Sequence, residues 1–124
     1  VSKNIKVTIC SEVDIEQSNV EEGLYVHSYT VHLENIGLDT VQLLSRKWII
    51  NNQYGSVKIV EGEGVVGEKP IIQPGETYVY SSFCVLECNF GSMQGHYIFK
   101  NRESQEKFKV DIPRFKLENR WILN

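Results

Sequence analysis

The chain has 124 residues, 41% of them hydrophobic and 10% aromatic, which suits one domain with a single core and leaves no room for a second. Its formal charge of -3 supplies no basic field of the kind that draws a protein onto nucleic acid or an anionic membrane, so neither is an expected partner. No apolar run approaches the roughly 18 residues of a membrane span, no signal peptide is visible, and an odd number of cysteines does not suggest a secreted disulfide framework, so the expected location is cytoplasmic.

In chain order the dominant signal has period two. "NIKVTICSEVD" alternates Ile5, Val7 and Ile9 with Lys6, Thr8 and Cys10, as a half-buried strand does. "GLYVHSYTVHLEN" places Tyr25, His27, Tyr29, Val31 and Leu33 on a core face, with His32 on the other. "VQLLSRKWIINN" puts Leu44, Arg46, Trp48 and Ile50 on one face, "NNQYGS" offers turn chemistry, and "VKIVEGE" resumes the alternation. "ETYVYSSFCVLE", "SMQGHYIFKN" and "EKFKVDIP" follow, each strand-like, with the polar "NRESQE" as a hairpin loop between the last two. No segment carries a helical apolar stripe. The expected fold is therefore all-β, an immunoglobulin-like or fibronectin type III-like antiparallel sandwich of about seven to eight strands in one domain over residues 1–124.

"VEGEGVVGEKP" needs separate treatment, because Gly62, Gly64 and Gly67 reproduce the G-x-G-x-x-G spacing of dinucleotide-binding turns. That fingerprint works when a strand runs through the glycines into a helix whose N-terminus holds a pyrophosphate. Here Pro70 and Pro74 follow, which opposes a helix, and Glu61, Glu63 and Glu68 would repel a bare phosphate. The glycines are expected to serve backbone geometry, with Gly64 and Gly67 at positive φ. Of Val65 and Val66, one is expected to turn inward and the other outward.

"VQLLSRKWII", "VEGEGVVGEKP", "IIQPGETYVYSS" and "GSMQGHY", in that order and at those intervals, resemble the bacterial ApaG family, also called CorD; the likeness runs from Gln17 and Ser18 to the "IPRF" of Ile112 to Phe115. The resemblance implies the same sandwich and no established enzymatic activity. It also implies genetic links to cobalt resistance and magnesium efflux, and related domains that look like protein-binding modules. The chain departs from the family pattern at Phe83 and at Cys88-Asn89, so a surface built there differs from that of relatives.

The remaining candidates are few. Cys84 and Cys88, four residues apart, would lie about 13 Å from one another if both were on one strand, too far to share a metal ion or a disulfide without a bend in the chain. His27 and His32 point to opposite faces. Arg46 and Trp48 share a face about 7 Å apart; the structural expectation is a core indole with the arginine held at its edge by an acidic neighbour, and the functional one is an exposed anchor for a partner. The reading is a non-enzymatic binding module without cofactor or bound metal, its partner a protein. The candidate contact residues are Arg46, Trp48, Gly62, Gly64, Val65, Val66, Gly67, Met93 and His96, and a homodimer is a compatible assembly. The alternative is metal-dependent binding or turnover of a phosphorylated metabolite or nucleotide, through a cation held by Glu61, Glu63 and Glu68.

Overall fold

The alternating segments pair into two antiparallel sheets stacked face to face. The computed structural model describes residues 4–88 and 90–118, and all side chains within them except those of Ile15, Val20 and Glu118; Asn89 lies outside the described residues. One sheet has the order β1-β2-β6, formed by β1 (Ile5–Asn19), β2 (Leu24–Asn35) and β6 (Thr77–Leu86). The other has the order β4-β3-β7-β8, formed by β4 (Val57–Glu63), β3 (Val41–Asn52), β7 (Phe90–Asn101) and β8 (Lys107–Glu118), with the short β5 (Ile71–Ile72) also paired to β3. A 3-10 turn, Val20–Glu22, is the helical element among the described residues, none of which forms a helix long and apolar enough to cross a membrane.

On β2 the expected alternation holds: Tyr25, His27, Tyr29, Val31 and Leu33 are buried and the residues between them are not. β3 corrects the expected pattern. Val41 and Leu43 are buried rather than Leu44, because a bulge between Leu43 and Ser45 in the pairing with β7 inserts one residue and switches phase before Trp48 and Ile50. β8 runs on past Pro113, where a strand end was expected. It lies at a sheet edge, where proline's missing N–H need not cost a ladder bond, and the register against β7 shifts beside it, from Met93 opposite Phe115 to Gly95 opposite Ile112.

Trp48 occupies the middle of the core. Its indole meets the rings of Tyr29, Tyr97 and Phe115 edge-on, with centroids 5.4, 6.2 and 5.9 Å away, the arrangement aromatic quadrupoles favour. The hydroxyls of Tyr80 and Tyr97 bond to each other across the gap between the sheets. The two lateral sides of the sandwich differ. On one, β1 packs beside β8, and the Ser11 hydroxyl donates to the Lys116 carbonyl at 3.4 Å. On the other, β4 and β6 are edge strands flanking an open cleft.

Candidate functional site

The glycine-rich segment lies on the open side. β4 pairs with β3 from Ser45 to Asn51, and β5 pairs with the same edge of β3 at Val41 and Gln42, so the chain between them leaves the sheet and returns to it. Both ends are fastened to β3: Gly64 N–H donates to Leu44 O at 2.8 Å, and Leu43 N–H donates to Pro70 O at 3.0 Å. Between them Val65 and Glu68 exchange backbone hydrogen bonds of 2.8 and 3.0 Å, with Val66 at φ 48° and Gly67 at φ 80° forming the tip. Positive φ at both central residues is the signature of a type I′ turn. The G-x-G-x-x-G spacing thus builds a two-residue hairpin turn, and the N–H groups of Gly64, Val65 and Glu68 are already engaged.

The three glycines answer to three different demands. A Cβ on Gly62 would come within 2.8 Å of Arg46 Nη1. One on Gly64 would strike the Glu68 carbonyl, at a residue that also has φ 66°. Gly67 has open space around it and needs only its positive φ. The two valines divide as expected, Val65 fully buried and Val66 63% exposed. A β-branched residue at positive φ is a strained choice for a turn tip.

Arg46 stands opposite Gly62 across the β3–β4 ladder, and its guanidinium lies over the glycine. Its Nη1 donates to Gly64 O at 2.9 Å and to Glu63 O at 3.3 Å. The arginine is therefore held by the carbonyls of the turn and not by an acidic neighbour, a correction that follows from glycine leaving room for the side chain to reach the backbone. The carboxylates have other partners: Lys47 lies 3.7 Å from Glu61, and Lys69 lies 3.0 Å from Glu63. No group of three histidine, cysteine or acidic side chains among the described residues is placed to hold a metal ion.

Beyond the turn, Arg46 lines a cleft of about 250 Å³ between β4 and β6, together with Trp48, Met93, Lys58, Phe83 and Cys84. Trp48 and Met93 are buried and shape its floor, while Phe83 is 65% exposed at its rim. Cys84 Sγ donates to Met93 Sδ at 3.6 Å, and burial pushes the Cys84 thiol up to about 11, which keeps it protonated at neutral pH. Cys88 lies past the end of β6 and donates to Phe90 O at 3.2 Å.

Of the residues singled out in the sequence, Arg46, Trp48 and Met93 thus converge on one cleft, with Gly62 beneath the guanidinium. Val66 and Gly67 form the nearby turn tip and Val65 anchors it from inside. His96 is elsewhere: it sits across from Lys47 and Asp111 on neighbouring strands, and burial together with Lys109 and Lys47 holds its imidazole below the ordinary value. Sequence reasoning missed Phe83 as a rim residue. The signal was present, because β6 carries Val79, Phe83 and Val85 on the face opposite Tyr78, Tyr80 and Cys84, and all three of the former are exposed. A strand apolar on both faces is a mark of a contact surface.

Residues 15–101 match the family model described as the ApaG domain. A Protein ApaG of Erwinia tasmaniensis is 50% identical over 101 residues, covering 82% of this chain and 80% of that one. A Protein ApaG of Salmonella arizonae is 48% identical over the same shares. The crystal structure of a protein from Bordetella pertussis, described as putative ApaA, superposes with a TM-score of 0.89 at 38% identity, covering 92% of each chain. With the family model spanning most of its length and relatives at this identity, the chain belongs to the ApaG family.

Proposed function

We propose that the chain is a non-enzymatic binding module whose protein partner docks on the open β4–β6 side. The observation that carries this reading is the exposed apolar row Val79, Phe83 and Val85 on β6, a strand with one unpaired edge, beside the cleft of Arg46 and Trp48. An unpaired edge presents backbone donors and acceptors in a row, and an extended segment of a partner can add to it as a further strand. On β4, Lys58 and Val60 line the facing wall of the cleft. The cleft's own polar groups suit binding better than chemistry, since Cys84 is held protonated and Arg46 is committed to the turn carbonyls. Any effect on cobalt or magnesium handling is then indirect, through the partner. A second copy of this chain is the competing occupant of the same edge.

The reading is tested by immobilising the wild type and Phe83→Asp and capturing proteins from the native host. Phe83 is largely solvated, so the variant is expected to keep its melting temperature while losing the captured partner. Equal capture by both would contradict the placement of the site.

A further inference from the structure

Charge along the open side is segregated. Lys58 stands opposite Ile50 and Val60 opposite Trp48, and both β3 residues are buried, so the register turns Lys58 to the cleft side of β4 together with Val60. Lys58 lines the cleft of about 250 Å³ and also a smaller concavity, of about 180 Å³, that continues it past Val85 to Glu87. Its charge acts on the Cys84 thiol, which belongs to β6 on the far wall, so the ammonium reaches over the gap. Lys58 is exposed and forms no ion pair with a described residue. Arg46, the other cation of the cleft, is bonded to neutral carbonyls, which leave its charge uncompensated. No described carboxylate lines the cleft. Glu87 lies beyond its Val85 end, Glu68 beside Tyr78 near the turn, and Glu61 and Glu63 are paired with Lys47 and Lys69. The middle of the open side is thus cationic between acidic ends.

We propose that the open side binds an extended strand of a partner protein that carries an acidic residue between two apolar ones. The inference rests on the docking reading above and specifies the chemistry of its occupant. A strand added to the free edge of β6 alternates its side chains in step with β6. Where it runs opposite Cys84, which faces inward, its side chain enters the cleft toward Lys58 and Arg46. Its two neighbours, opposite Phe83 and Val85, fall on the outer face beside those exposed side chains. A carboxylate at the inward position and apolar groups at the outward ones satisfy both demands. The cleft is smaller than the roughly 300 Å³ at which pockets for free small molecules begin, so it suits a single side chain delivered on a backbone. Glu87 disfavours an acid placed two residues further on, opposite Leu86, and so helps to set the register.

The test is selection of displayed random heptapeptides on the full chain, followed by synthesis of the enriched peptides and amide NMR to map where they bind. The wild type is expected to enrich peptides with Asp or Glu between two apolar residues, and their shifts to centre on β6. Lys58→Met should weaken such a peptide about fivefold, the upper scale of a solvent-accessible ion pair, and leave the melting temperature unchanged because no internal pair is lost. Selection on Lys58→Glu should lose the acidic preference. Neutral apolar peptides that map to β6, or an acidic preference that survives Lys58→Glu, would overturn this inference and leave the docking reading standing. Acidic peptides that map to β1 and β8 would overturn both. Failure to enrich any peptide would overturn the strand chemistry, while the capture comparison with Phe83→Asp still judges the docking face by itself.

Discussion

The two lateral sides of the sandwich are made from the same alternating strands and end in opposite states. On the β1–β8 side the sheets meet, and Ser11 reaches the backbone of β8. On the β4–β6 side a cleft stands open, apolar side chains face solvent along β6, and the glycine-rich turn is fastened beside them through Arg46. Alternation determines which side chains go inward, but it does not determine whether two edges close. Here the open side carries the fastened glycine-rich turn and the exposed row Val79, Phe83 and Val85, and that coincidence is the basis of the proposed binding face.

The turn on the open side is the first place to break this difference. Gly64→Ala meets both a positive φ and the Glu68 carbonyl, so it is expected to cost about 2 to 3 kcal/mol in urea denaturation, whereas Gly67→Ala, strained but unobstructed, should cost about 1 kcal/mol. Equal losses would mean that the turn relaxes and is not fixed by its neighbours.

The valines sharpen the same point at a smaller scale. Val65→Ser places a hydroxyl in a fully buried site and should lower stability by about 2 kcal/mol. Val66→Ser should change it little. Val66→Asn, which gives the Asn-Gly pair favoured in type I′ turns, should raise it by about 0.5 to 1 kcal/mol while weakening partner capture if the apolar tip is part of the contact. A stability gain in that variant with capture intact would confine the binding face to the β6 edge.

The smallest effect concerns the sheet behind the cleft. Burial lowers the pKa of His27 below 6.5, so below that pH the unfolded chain takes up more protons than the folded one. Stability is then full above about pH 6.5 and falls as the pH drops toward the folded value. His27→Gln should flatten the part of this slope between pH 7 and 5, read from denaturation midpoints; an unchanged slope would place the titration elsewhere.

The sheet pattern was readable because most of these strands bury one face only. β2 is the plainest case, its alternation matching burial residue by residue. β3 was not fully readable, since a bulge at Leu44 leaves no mark in a run of apolar residues and reverses the phase that follows. The glycines announced a special backbone but not its shape. Arg46 binding the carbonyls of Glu63 and Gly64 depends on the register that sets it opposite Gly62, which is a long-range pairing. Phe83 was legible only as a departure from the family pattern and not as a rim residue of the cleft, because it follows "YSS" within a strand whose inward residues are also aromatic.

The most direct test of the claim that the open side is the binding face is amide hydrogen exchange, measured by mass spectrometry on the protein alone and saturated with its captured partner. Binding at the open side predicts that exchange slows along β6 and at the 64–69 turn, while β1 and β8 exchange as before. Slowing confined to β1 and β8, with β6 unchanged, would contradict it.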